Sequence, residues 1–471
     1  MDSAVQSRTI QASSRRPWLA REVAATFHLS WPLVVANVAT NAMNVTDIMM
    51  LGWLSPKALA AGALGFNLYL PLLIFGIGVV SAASPVVARM VGADRNDIEG
   101  PRRAAHHTFV SVAILSVPMW IVLLNARTIL TALGEPPELA ADASTYLHGL
   151  QWALAPSLLF FALRSVFAAL DRPGPTLLAG LLAVGVNALG NWLLIFGHYG
   201  FPAWGIFGSG IATCVSQSFM MLILAAYAFM DRHLARYRLF RGPWRFDWRS
   251  FREIWRLGAP IGATIVFEVS IFAASVLLMG LISVASLEAH AIVFQIASFA
   301  FMVPLGVGQA ATVRVGHAFG ARDRTAVSRA GWAAFGLVLA FMVVSAATML
   351  LLPRLLISPF VDVAAPANAE IVALAQQFLR VAALFQLFDG AQVAAAGMLR
   401  GLYDARAPML IALAGYWGLG LPTGAALAFL TPLAGLGLWI GLAFGLAAVS
   451  IMLIGRWRLR ERAGFFREQA S

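Results

Sequence analysis

The chain has 471 residues, 60% hydrophobic and only 12% charged, where a soluble domain carries about 25% charged residues. That excludes a large soluble domain and a disordered chain, and the single cysteine, Cys214, excludes a disulfide scaffold and a multi-cysteine metal site. The net charge of +11 comes from 33 basic and 22 acidic residues, so its meaning depends on where the arginines fall.

Residues 1–28 are polar and basic, with Arg8, Arg15, Arg16 and Arg21. No small-residue cleavage site follows a short apolar core, so the first apolar run is expected to be retained as a span and not cleaved as a signal peptide. A membrane-spanning helix needs about 20 mostly apolar residues. Runs of that kind lie at 30–53, 58–82, 106–125, 147–169, 176–197 and 205–230. After a basic stretch they resume at 258–282, 287–311, 331–353, 371–398, 408–430 and 433–455. Ser55-Pro56-Lys57 and the serines at 283 and 286 divide the two longest runs. The sequence thus predicts an all-α polytopic membrane protein with twelve transmembrane helices.

Lys and Arg are dealt out at every second loop. The N-terminus, the even-numbered loops and the C-terminal tail hold nearly all of them, whereas the odd-numbered loops hold Lys57, Arg127 and Arg354. This asymmetry predicts that both termini are cytoplasmic. Because the arginines form no single patch, nucleic acid is not expected as a partner.

Residues 32–95 align without gaps onto 260–323, pairing Pro32 with Pro260, Gly52 with Gly280, Ser55 with Ser283 and Gly78 with Gly306. Asp171-x-x-x-Pro175 aligns with Asp404-x-x-x-Pro408. Six spans separate the copies, so both copies have the same orientation, as in two parallel lobes of a carrier. The expected organisation is an N-terminal segment (1–28), an N-lobe (29–230), a cytoplasmic linker (231–257), a C-lobe (258–455) and a cytoplasmic tail (456–471).

Only three acids lie deep in spans: Asp47, Glu268 and Asp389. A charge at membrane depth is costly and faces an interior or a cavity. Asp47 ends the stripe Asn37, Asn41, Asn44, Asp47, whose steps of three and four keep it on one helical face. Asp389 lies between Gln386 and Gln392 on a second polar face, and Glu268 follows the apolar Ile265-Val266-Phe267. Each carboxylate can take up a proton or a small cation from one side and release it to the other. Asn187 and Asn191 share a face and, with Thr213 and Asp47, offer oxygen atoms of the kind a hard cation prefers. Interhelical hydrogen bonding is the competing role for the two asparagines. At the aligned second-lobe positions stand Gly420 and Gly424, and Ser275 aligns with Asp47. Arg164 and Arg380 sit near span ends and are expected to snorkel to the interfaces. Asn41, Asn44, Phe294, Gln295, Phe385, Gln386 and Gln392 are candidates for lining a drug cavity.

Other motifs carry less. There is no Walker loop, so ATP drive is not expected. Gly208-x-Gly210 and the glycines at 435–445 read as close helix packing. His106-His107 begins a span, and no transition-metal site is expected. Asp94-x-x-Asp97 has the spacing of a Mg²⁺ motif but sits in an Arg-rich loop, where it reads as a solvated cluster.

Several stretches resemble the multidrug and toxic compound extrusion (MATE) family, NorM-type branch. They are Thr46-Asp47-Ile48-Met49-Met50-Leu51-Gly52 with Ser84-Pro85-Val86-Val87-Ala88-Arg89, and Gly258-Ala259-Pro260-Ile261-Gly262 with Phe267-Glu268. Val307-Gly308-Gln309-Ala310-Ala311-Thr312-Val313-Arg314 and Phe385-Gln386-Leu387-Phe388-Asp389-Gly390-Ala391-Gln392 complete the set. The likeness covers about residues 28–455. It implies a second-lobe cation site at Glu268 and Asp389 and a first-lobe site at Asp47, Asn187, Asn191 and Thr213. The family usually has Tyr where Phe385 stands, so one hydroxyl is missing here. The resemblance implies a monomeric antiporter, without an organic cofactor, that exports amphipathic and often cationic drugs in exchange for Na⁺, H⁺ or both. The alternatives are a lipid-linked oligosaccharide flippase, which would need a wide basic cavity, and a membrane prenyl or acyl transferase, which would need paired acids or an exposed histidine.

Overall fold

The computed structural model describes residues 18–241 and 246–465. The N-terminal Arg8, Arg15 and Arg16 and the end of the tail lie outside the described residues. No strand occurs among the described residues. This follows from the solvent: lipid cannot satisfy a backbone N–H or C=O, so each span closes its own ladder as a helix.

Twelve helices among the described residues are long and apolar enough to cross a membrane: α1 (Trp18–Leu54), α2 (Pro56–Ala93), α3 (Glu99–Leu124), α4 (Pro137–Ala169), α5 (Gly174–Phe196), α6 (Gly205–Met230), α7 (Trp248–Ile282), α8 (Val284–Gly320), α9 (Arg324–Leu351), α10 (Pro366–Gly401), α11 (Arg406–Leu430) and α12 (Ala434–Arg462). Most run further than the apolar runs, since a helix continues into water beyond the lipid. The N-terminal polar segment becomes helical from Trp18, and the last part of the predicted linker makes up nearly the first three turns of α7.

The repeat is visible in local chemistry. Ser55 and Ser283 are both extended N-cap residues, and each hydroxyl accepts from the backbone N–H three residues on, Ala58 and Ser286, at 3.0 Å. These caps break the two long runs where the sequence placed the breaks. The loop motif is less regular. The left-handed residue of the turn is Asp171 (φ 59°) before α5 and Tyr403 (φ 63°) before α11. The turn therefore equates Asp171 with Tyr403, one residue out of step with the Asp171–Asp404 alignment. A π-helical turn at Ala414–Gly420 in α11 takes up the extra residue.

Helices α1–α6 and α7–α12 form two lobes; one buried apolar cluster fills the N-lobe and takes in Ile254, Leu257, Ile261, Ala310 and Val313 of α7 and α8, and a second fills the C-lobe. Outward faces carry side chains such as Leu182, Leu277, Val344 and Ile451 to the lipid. The lobes meet at the end where the described termini lie. A Cβ on Gly78 of α2 would strike the Gly262 backbone of α7, and one on Gly258 would strike Val79. Gly92 and Gly320 stand in the same relation to the backbones of His317 and Arg89. Around this seam Arg314 pairs with Glu22 at 2.5 Å, Trp255 Nε1 donates to Ser111 at 3.1 Å, and Asp247 N–H donates to His107 at 2.8 Å. The two histidines thus anchor the linker, His106 through Leu239 and His107 through Asp247. Asp94 and Asp97 accept the backbone N–H groups of Asn96 and Gly100, so both are used in turning the chain.

The seam gives a paired prediction. Gly78→Ala is expected to lower stability by about 1–3 kcal/mol through overpacking. Gly185→Ala, whose Cβ meets nothing within 4 Å, is expected to be neutral or slightly stabilising. Thermal unfolding of the two purified variants, followed by tryptophan fluorescence, checks both.

Candidate functional site

In the N-lobe the structure brings together four of the residues singled out from sequence. Asp47 is 7% exposed on α1, facing α5 and α6. Asn187 Nδ2 and Asn191 Nδ2 donate to its Oδ1 at 2.9 and 2.6 Å, and Thr213 Oγ1 donates to its Oδ2 at 2.9 Å. The four-residue step on α5 is what lets both amides reach one oxygen. Both asparagine Oδ1 atoms are buried without a partner. The cluster is thus an acid held by three donors, with two carbonyl oxygens beside it. Rotating either amide turns a donor into a cation ligand.

A cavity of about 190 Å³ opens beside Asp47, lined among others by Asn44, Phe66, Asn67 and Tyr146. Asn44 lines it beside Asn67 and Tyr146, two residues that were not legible as site residues. Asn41 is half-buried, with its Nδ2 unpartnered.

The C-lobe acids are arranged differently. Glu268 is half-buried on α7, and Asp389 is 5% exposed on α10 with Oδ1 unpartnered. They lie close enough to repel one another when both are ionised. The Gln392 side chain hydrogen-bonds Glu268, and Arg400 attracts it. Tyr416, from the π-helical turn, places a buried and unpartnered hydroxyl in the field of Glu268, Asp389 and Arg400. Gly420 and Gly424 carry no ligand; they let α11 close on the backbones of Gly445 and Gly441 of α12.

Three expectations are corrected. Arg164 does not snorkel: it is 4% exposed, and its Nη2 donates to Asn37 Oδ1 and Gln309 Oε1, each at 2.6 Å. Asn37 is in the N-lobe and Gln309 in the C-lobe, so the guanidinium ties the lobes together, and satisfying those oxygens holds it inside. Arg380, by contrast, is exposed. Phe385 is 2% exposed and packs edge-on against Trp439 and Phe272, so it is core and not cavity wall. Gln386 is 1% exposed and accepts from Ser345 Oγ at 2.7 Å, which ties α9 to α10. Phe294 joins the same aromatic cluster through Phe272 and His290, and Gln295 beside it is half-buried.

The chain matches the family model described as MatE over residues 32–193 and 260–426, one match in each lobe. It is 50% identical to a "Probable multidrug resistance protein NorM" of Mesorhizobium japonicum over 96% of this chain and 97% of that protein. It is 45% identical to a protein of the same name from Brucella suis over 97% and 96%. Among solved structures it resembles that titled "Crystal structure of eukaryotic MATE transporter AtDTX14" with a TM-score of 0.84 and 21% identity, covering 96% of this chain and 100% of that one. It also resembles one titled "Outward-facing conformation of a multidrug resistance MATE family transporter of the MOP superfamily", with a TM-score of 0.84 and 19% identity over 94% and 96%. With a family match in both lobes and relatives of this identity along nearly the whole chain, the protein belongs to the MatE family and is a NorM-type multi-pass membrane protein.

Proposed function

We propose that the protein is a secondary active multidrug efflux antiporter that exports amphipathic, often cationic organic compounds in exchange for Na⁺, H⁺ or both. The observation that carries this reading is the pair of acids in the C-lobe, Glu268 and Asp389, with one Asp389 oxygen buried and unpartnered. Two carboxylates that repel one another form a poor resting state and a good receptor for one positive charge. A proton, a sodium ion or a cationic cargo relieves the repulsion equally in kind, so occupancy by one opposes occupancy by another. That competition is the requirement of antiport. The NorM name of the relatives supports the cargo class.

The Lys/Arg asymmetry supports cytoplasmic termini in an inner membrane. With that orientation, lobes joined at the end of the described termini correspond to an outward-open carrier. An inward ion gradient then acts from the open side, and about 100 mV supplies about 2.3 kcal/mol per charge moved. The N-lobe acid has a different task in this reading. Asp47 is held by uncharged donors from α5 and α6, so cation entry there re-sorts contacts among three helices and alters the packing of the lobe. A monomer contains both sites and suffices.

The flippase reading needs a wide basic cavity between the lobes at membrane depth. Arg164 and Arg400 line one there of about 80 Å³, and an arginine-lined cavity of about 800 Å³ opens at the end of the described termini instead. The transferase reading has less support, since Asp94 and Asp97 each give one oxygen to a backbone N–H in turning the chain.

Asp389→Asn and Glu268→Gln are each expected to abolish drug resistance in an efflux-deficient host while leaving membrane expression unchanged; undiminished resistance in both would overturn the assignment. Drug efflux from proteoliposomes, with a Na⁺ gradient and a pH gradient imposed separately, identifies the coupling ion. Asp47→Leu orphans three buried donors, at about 1–3 kcal/mol for each group left unsatisfied. It is expected to lower the unfolding temperature well below that of Asp47→Asn, whose side-chain carbonyl still accepts.

A further inference from the structure

Seven arginines converge on one cavity of about 800 Å³ at the end where the lobes meet: Arg89, Arg249, Arg252, Arg256, Arg406, Arg456 and Arg460. Its acids are Glu253 and Asp404, and Asp404 is already held by Arg456 at 2.8 Å. Arg89 comes from the N-lobe and stacks over Tyr403 of the C-lobe, 4.8 Å from the ring centroid. Arg249, Arg252, Arg256 and Arg406 are exposed and enter no ion pair among the described residues. A positive-inside bias explains basic residues on this side of the membrane. It does not explain why α2, α7, the start of α11 and the end of α12 all aim arginines at one concavity. Forked guanidiniums match phosphate oxygens two at a time.

The wall also contains Leu410, 58% exposed on α11. An apolar side chain at that exposure, one turn into a span, marks where the cavity opens sideways to acyl chains. We propose that this cavity binds the phosphate headgroup of an anionic phospholipid from the leaflet on the terminal side, with the acyl chains leaving past Leu410. A phosphate held there contacts Arg89 of one lobe and the arginines of the other, so the lipid favours the joined arrangement of the lobes. This site is separate from the membrane-depth acids and does not depend on the coupling chemistry proposed for them.

The test is retention of phosphatidylglycerol against phosphatidylcholine by the purified full chain, counted by native mass spectrometry after mixed-micelle exchange. The unaltered chain is expected to retain phosphatidylglycerol preferentially. Removing a basic residue near a headgroup costs roughly fivefold in binding, so Arg249→Gln/Arg252→Gln/Arg406→Gln is expected to lose the preference by at least tenfold. The corresponding triple Lys variant keeps most of it, and Arg127→Gln/Arg354→Gln, at the opposite end, keeps all of it. No preference in the unaltered chain, or a preference unchanged in the triple Gln variant, overturns the proposal. In a parallel arm inorganic phosphate competes with the lipid. Displacement at equal concentration assigns the cavity to a soluble phosphate compound and overturns the lipid, whereas persistence of the lipid supports it.

Discussion

A bilayer offers no solvent for charge, and the whole architecture answers to that. A polar side chain at depth must be met by another helix, because lipid cannot meet it. Asp47 is met by α5 and α6, and Arg164 by α1 and α8. These contacts are weak as stabilisers, since an interhelical hydrogen bond within a membrane averages about 0.6 kcal/mol. Their force lies in the cost of breaking them, which leaves an orphan in hydrocarbon. The deep polar residues therefore fix which helices are neighbours, while the apolar majority supplies the packing.

The two lobes share a plan and differ in how completely they satisfy their acids. Three donors surround Asp47, and the N-lobe cluster is balanced without any ion. In the C-lobe a pair of acids has one amide, the attraction of one guanidinium and an unpartnered oxygen. The repeat sets the positions of the helices, but the second copy has no counterpart of the α5 amides. Gly420 and Gly424 stand there and α11 closes on α12, while the π-helical turn places a tyrosine hydroxyl near the acids. A carrier with two identical lobes would have two identical affinities; this one has a satisfied site and an unsatisfied one.

Periodicity and cost made much of this legible in the sequence. Twelve apolar runs, the serine breaks and the ungapped repeat follow from lengths and spacings that lipid imposes. The three acids stand out because so few charges survive at that depth. The Asp47 cluster was readable because a stripe and a four-residue step are local patterns. Arg164 was not, because a long side chain near a span end is ambiguous until its partners, 127 and 145 residues away, are in place. Tyr146 and Tyr416 look like ordinary aromatics until the fold sets them beside acids. Phe385 and Gln386 lie on a polar-looking face, but α8, α9 and α12 cover it. The one-residue slip before α11 leaves no trace in so uniform an Ala/Gly/Leu background.

The glycine seam has a mechanical consequence. Gly78, Gly92, Gly258 and Gly320 bring backbone against backbone, while Gly262 and Gly306 also take the side chains of Phe75 and Val34. The backbone contacts themselves part without any rotamer being forced. Parting also draws Ile254, Leu257 and Ile261 of α7 out of the N-lobe's apolar cluster. It breaks polar ties as well, such as Arg314–Glu22 at the rim and the buried Arg164–Gln309. The seam works as a clutch whose plates slide apart freely and whose lining and pins decide when it slips.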